Sequence, residues 1–307
     1  MPRPNLSSLS LPLAHLLVLS AFAVVHALAS PFPISSSSAL PQRRADPDPQ
    51  PCGFDGDDNT YGLGIRLGLY IQGLGTILSD FLEPGEAKKM KDVNLSFQLS
   101  VFGGLIYITI TRGSTQAAGQ LYAAEVLMML HLCTKAVFDP NPDPSQALVA
   151  IHLVQFAFSL TMLSYTLWFL FIGMDQMAHP PCSRYAFVLA KVDMYHWYRL
   201  ARKILAIIYT VLDTCGLVWT LRQLYTGAAK GNASLFPSSA PPPRRSLLGQ
   251  FIVLAFIVTS TELLIRWNHI HNVYSVGGTG QLIPLIVSSM GFIPVVYKLF
   301  IKYVVTP

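Results

Sequence analysis

Seven apolar runs alternate along the chain with polar connections, at residues 61–82, 93–111, 117–138, 146–173, 204–224, 247–265 and 281–301. About 20 residues, rising about 1.5 Å each, cross a hydrocarbon core of about 30 Å, so each run predicts a membrane helix. The connections carry the helix breakers. DPNPDPS at 139–145 closes the third run with three prolines, and GNASLFPSSAPPPRRS, within a flexible loop at 226–246, separates the fifth from the sixth. The fourth run exceeds the bilayer and predicts tilt. Pro284 and Pro294 fall inside the seventh and predict kinks. The fold class is therefore all-α: a polytopic membrane protein whose seven-helix bundle occupies residues 61–302.

Two segments precede the bundle. Residues 1–29 have the form of a signal peptide, with Arg3, an apolar core over 11–25 and Ala27-Leu28-Ala29 before Ser30; an uncleaved anchor helix is the alternative. Residues 30–60 are rich in Ser, Pro and Asp and too poor in apolar groups to offset the entropy of folding, which predicts a disordered outer tail. Arg43-Arg44 is a candidate dibasic processing site. Asp55, Asp57, Asp58 and Asn59 resemble a calcium loop only at first sight, because the required glycine is Thr60 and the closing glutamate is Arg66.

The first run departs most from a plain apolar span. Glycines stand at 62, 64, 68, 73 and 75, and Arg66 and Gln72 lie inside it. Gly64 and Gly68 have the small-xxx-small spacing that lets helix backbones approach closely. Neighbouring helices are therefore expected to pack against this face.

Composition agrees with lipid as solvent. Only 12% of the 307 residues are charged and 52% are hydrophobic, with a mean hydropathy of +0.45, where soluble domains carry about 25% charged residues. The net charge of +5 comes from residues at the ends of runs and forms no stripe, which excludes nucleic acid as a partner. Lys88, Lys89 and Lys91, in an expected turn over 83–92, predict a cytoplasmic first loop, hence an outer N-terminus and a cytoplasmic C-terminus, in the secretory pathway and at the plasma membrane. Arg199, Arg202 and Lys203 then fall outside, against that rule. They belong to a connection over 174–203 whose interleaved aromatic and basic residues predict a helix lying at the headgroup level. The sequon at Asn232 falls inside and is expected to stay bare.

Two strings, GLGIRLGLYIQ at 62–72 and WNHI at 267–270 followed by VYSVGGTGQLIPL at 273–285, resemble a group of multi-pass membrane proteins from filamentous fungi. The resemblance covers about residues 59–300 and implies a seven-helix membrane body. It carries no activity with it.

Charged side chains inside spans are costly and each is a candidate for function. Arg66 lies near the outer end of the first run and Glu262 near the outer end of the sixth, with Glu125 expected one turn deeper on the third. Arg66 is predicted to pair with Glu262 or Glu125, either as a lock between helices or as the lining of a polar cavity for a ligand or ion. Asp213, in the fifth run, has no cation at its depth and is expected to meet an amide such as Gln155. Together with Gln72 these residues form the candidate intramembrane polar site.

Metal and cofactor chemistry find little support. His131 and His152 lie at comparable depth on consecutive runs, but a haem protein of this kind needs a second such pair. His269 and His271 are weak zinc candidates without the further ligands a site requires. No cofactor is expected, and no Ser-His-Asp order, phosphate loop or CxxC is present, so an enzyme is not expected. Pro294-x-x-Tyr297 ends the last run as in rhodopsin-like receptors, but Ile293 precedes it where those carry asparagine.

Cys52 and Cys182 fall outside, in an oxidising compartment, each the lone cysteine of its connection, and are predicted to bond to each other. An exported tail, a tie from it to an outer loop and seven spans favour a receptor-like or sensory protein, with a small-molecule ligand or ion as partner besides the bilayer. The alternatives are a transporter or channel using Arg66, Glu125, Asp213 and Glu262, and a non-catalytic membrane organiser.

Overall fold

The computed structural model describes residues 52–82, 84–114, 120–134, 146–178, 184–229 and 247–301. The signal peptide, the tail up to residue 51 and most of the 226–246 loop lie outside the described residues. The protein is mostly helical. In chain order, β1 (Phe54–Asp55), α1 (Asp58–Tyr61), α2 (Leu63–Leu82), α3 (Pro84–Ser114) and α4 (Ala123–Cys133) are followed by α5 (Gln146–Trp168), which runs on through a π-helical turn at Phe169–Gly173. Then come β2 (Tyr185–Phe187), β3 (Lys191–Asp193), α6 (Trp197–Ala229), α7 (Leu247–Trp267), β4 (Ile270–His271) and α8 (Thr279–Phe300).

Five of these helices are long and apolar enough to cross a membrane: α3 over Met90–Arg112, α5 and its extension over Val154–Gln176, α6 over Trp197–Arg222, α7 over Leu248–Trp267 and α8 over Thr279–Lys298. The first and third apolar runs behave differently. α2 has the expected length but buries Arg66, Gln72, Thr76 and Ser79 beside Ile65, Leu69 and Ile77. It packs on α3, α7 and α8, so its polar side chains are covered by protein. The third run, expected over 117–138, is described over residues 120–134, where the helix is Ala123–Cys133.

Three further expectations change. The turn over 83–92 is instead helical from Pro84, where proline fits the first turn because no backbone donor is needed there; Lys88, Lys89 and Lys91 therefore sit on a helix. Among the described residues of the connection over 174–203, Tyr185–Phe187 and Lys191–Asp193 form an antiparallel hairpin where a surface helix was expected, and α6 begins at Trp197 and enters the fifth apolar run without a break. Aromatic and β-branched residues in alternation suit a strand better than the helix their amphipathicity suggested. Finally, residues 52–60 of the expected tail are folded. β1 pairs in parallel with β4, Phe54 opposite Ile270 and Asp55 opposite His271, and Asp57 caps α1 by accepting from the Asn59 amide at 3.1 Å.

The chain divides into two compact units. The larger holds Phe32–Thr134, Met177–Tyr198 and Arg245–Pro307, hence α1–α4, α7, α8 and all four strands. Its centre is α2, and Gly64 and Gly68 face α8 closely: a Cβ at 64 would stand 2.5 Å from the Gln281 carbonyl oxygen and one at 68 would stand 2.9 Å from that of Pro284. The smaller unit holds Lys135–Gln176 and Arg199–Arg244. Within it, Arg199 at the start of α6 reaches Asp175 through two contacts of 2.6 and 2.7 Å and donates to the Leu170 carbonyl at 2.7 Å. A π-helical turn leaves carbonyls without their usual helical partner, and Arg199 supplies a donor to one of them.

A buried arginine and a folded outer cap

The candidate site lies where α2, α7 and the cap over residues 52–61 meet. Arg66 has no exposed surface, and its guanidinium has three separate partners. Nη1 pairs with Glu262 of α7, Nη2 donates to the Val273 carbonyl at 2.9 Å, and Nε donates to the Tyr61 carbonyl at 3.1 Å. One side chain thus joins α2, α7, the cap and the connection from α7 to α8. The planar fork of arginine permits this; a lysine ammonium would not reach all three in fixed directions.

Glu262 is the partly open end of the arrangement, with 32% of its side chain exposed. It accepts from Tyr70 at 3.0 Å and from Tyr274 at 3.3 Å. The Tyr274 ring also covers the guanidinium carbon of Arg66 at 5.0 Å from its centroid. Burial, and after it the Glu262 carboxylate, push the Tyr274 phenol above its usual range. Of the two expected partners, then, Arg66 takes Glu262.

Glu125 belongs to a neighbouring cluster. It does not lie one turn deeper than Arg66 but beside Tyr61, at the start of α2. It accepts from the Tyr61 hydroxyl at 2.5 Å and from the Tyr122 amide at 3.2 Å, so it caps the helix on which it stands. Arg112 bridges Glu125 at 3.5 Å and Asp57 at 3.0 Å. The Asp57 amide in turn donates to the Tyr61 hydroxyl at 3.0 Å, and Phe54 stacks on Tyr122 with ring centroids 3.9 Å apart. Tyr61 connects the clusters, its carbonyl serving Arg66 and its hydroxyl serving Glu125.

The acidic run of the cap is spent on these contacts. Asp57 serves a cap and an ion pair, Asp55 accepts from Asn272 at 3.0 Å, and Asp58 accepts from Gln281 at 3.3 Å. The other expected residues disperse. Gln72 donates to the Met90 carbonyl at 3.1 Å, farther along α2. Asp213 belongs to the smaller unit, where the Ser159 hydroxyl is beside it. His269 and His271 are exposed on either side of buried Ile270, and no group of three or more His, Cys, Asp or Glu side chains suited to a metal occurs among the described residues. Cys182 lies outside the described residues, and with it the predicted Cys52–Cys182 bond.

Tyr61, Tyr70, Arg112 and Tyr274 complete the site and were not anticipated from the sequence. Tyr70 had a local signal, since it stands four residues after Arg66 and so shares its helix face. Arg112 and Tyr274 had none, because each arrives from another part of the chain, and Tyr61, which adjoins α2, is tied to Glu125 from far along the chain. No family model matches the chain, and neither a curated protein nor a solved structure shows significant similarity to it. Its five helices of membrane-spanning length and apolarity place it in the class of multi-pass membrane proteins.

Proposed function

We propose that the chain is a receptor-like or sensory membrane protein with seven spans after a cleaved or anchoring N-terminal signal, its cap outside and its C-terminus cytoplasmic, at the plasma membrane. The seven spans of this reading are the five helices of spanning length, the first apolar run, which holds α2, and the third, of which the described residues show α4. The observation that carries the reading is the three-way bonding of Arg66. A ligand that shifts the cap or the connection after α7 must alter the bonds to Tyr61, Val273 or Glu262, and each of these bears on the seating of α2 against α7. The partly open Glu262, between two tyrosine hydroxyls, is where a small-molecule ligand or an ion would enter.

A disulfide from Cys52 to Cys182 is part of this proposal and would tie the cap to the connection before β2. Its support is that Cys133 and Cys215 are free thiols, which leaves Cys52 and Cys182 of the four cysteines of the chain. The seven-span body also agrees with the resemblance to fungal multi-pass proteins.

A second reading, the non-catalytic organiser, draws on the complete burial of Arg66, which suits a lock between helices. The transporter reading loses ground because Gln72 bonds to the Met90 carbonyl and Glu125 to Tyr61, Tyr122 and Arg112, so neither shares the Arg66–Glu262 pair. Amide hydrogen exchange of the full chain in nanodiscs, with and without pools of small molecules, separates these. A receptor yields a ligand that protects residues 52–62 and 268–276 and also changes exchange along α2 and α7. If no pool changes exchange beyond the cap, the receptor reading fails and the organiser stands.

A further inference from the structure

The β2–β3 hairpin sits against α7 in an unusual direction. Its base is fixed by Asn268, which follows α7: the Tyr185 amide donates to the Asn268 side chain at 2.9 Å, and Asn268 donates back to the Tyr185 carbonyl at 2.7 Å. Two residues on, the Phe187 ring lies 6.0 Å from that of Trp267 and 5.8 Å from that of Phe256. Phe256 stands eleven residues before Trp267 on the same helix, about 16 Å back along its axis. The strand therefore runs from the end of α7 toward the helix middle, and at about 3.3 Å per residue the turn at 188–190 lies about 13 Å beyond Tyr185 in that direction.

What the turn carries fits this placement. Leu189 is 84% exposed and adopts φ of 74°, the left-handed region where a hairpin turn ordinarily takes glycine or asparagine. A leucine side chain this exposed is unfavourable in water and favourable in an acyl phase. The turn also closes its own backbone, the Val188 amide donating to the Ala190 carbonyl at 3.2 Å, which lowers the cost of leaving water. Lys191, the first residue of the return strand, does not point its charge onward. Its ammonium lies over the Tyr185 ring at 3.8 Å from the centroid and 5.9 Å from that of Trp267, folded back toward the end of α7 as a snorkelling lysine is. Farther along α7, a helix of spanning length and apolarity, the outward residues continue apolar, with Phe256, Val253 and Ile252 exposed.

We infer that the β2–β3 hairpin is a membrane-inserted element whose turn, Val188–Leu189–Ala190, enters the lipid leaflet at the C-terminal end of α7. The lipid occupant follows from continuity with the outer face of that helix. This holds independently of whether the protein binds a ligand.

The test uses the full chain in phosphatidylcholine nanodiscs with Cys215→Ser as background, carrying an environment-sensitive fluorophore at Leu189→Cys, and separately at Ala190→Cys should the first variant fold poorly. His271→Cys, exposed on β4, is the aqueous reference. Expected is a blue-shifted emission relative to the reference, with a larger loss of intensity to acyl-chain nitroxide lipids than to headgroup nitroxides. Emission matching the reference, or quenching by aqueous iodide, overturns the inference. So does a blue shift that no lipid nitroxide quenches, since the turn is then covered by protein.

Discussion

Arg66 is wholly buried while Glu262, its ion-pair partner, keeps about a third of its side chain exposed. The two ends of one bond therefore respond differently to loss of the other. Glu262→Gln leaves a guanidinium inside the protein without a counter-charge, which costs about 3 kcal/mol, the low end for a buried pair because the glutamate retained water. A neutral double variant, Arg66→Met with Glu262→Gln, is expected to recover part of that loss, a coupling of about 1–2 kcal/mol. The charge-swapped pair is not, since only an arginine at 66 also serves the Tyr61 and Val273 carbonyls. Thermal unfolding of the detergent-purified variants measures all of these.

Gly64 and Gly68 set how closely α2 approaches α8. Gly64→Ala places a methyl group against the Gln281 carbonyl and should destabilise by about 1–3 kcal/mol, with Gly68→Ala milder. Gly103 has nothing within 4 Å of the corresponding position, so Gly103→Ala should be neutral or stabilising by up to about 1 kcal/mol. Unfolding midpoints that rank Gly103 as the most sensitive of the three would contradict this packing.

Tyr61→Phe removes one hydroxyl that both receives the Asp57 amide and donates to Glu125. The expected cost is about 1–3 kcal/mol, most of it from the buried Glu125 left short of a donor. Its signature is local: faster amide exchange over residues 54–61, with α8 unchanged.

A non-reducing peptide map should recover Cys52 joined to Cys182. Cys215, exposed, should label in detergent under native conditions, and Cys133, buried among apolar residues, only after unfolding. Alkylation of both Cys52 and Cys182 in the folded, unreduced protein would remove the tie.

With the cap outside, Asn232 faces the cytoplasm and stays unglycosylated, whereas a sequon placed in the connection after α7 should be modified. Glycan on the native Asn232, read as a mobility shift removed by glycosidase, reverses the orientation.

Apolar run length alone determined that the chain is helical and belongs with membrane proteins, because burying backbone polar groups in lipid leaves few alternatives to the helix. It also located α7 and α8 nearly to the residue, and the cost of charge in a span singled out Arg66 and Glu262. Hydropathy could not say which helix would be enclosed by others. α2 buries an arginine, a glutamine, a threonine and a serine because it packs on α3, α7 and α8, and that depends on its neighbours. The cap shows the same limit from the other side. Residues 52–60 are too polar to fold alone, and only partners brought in by α3, α8 and the connection after α7, Arg112, Gln281 and Asn272 among them, give their carboxylates and backbone something to bind.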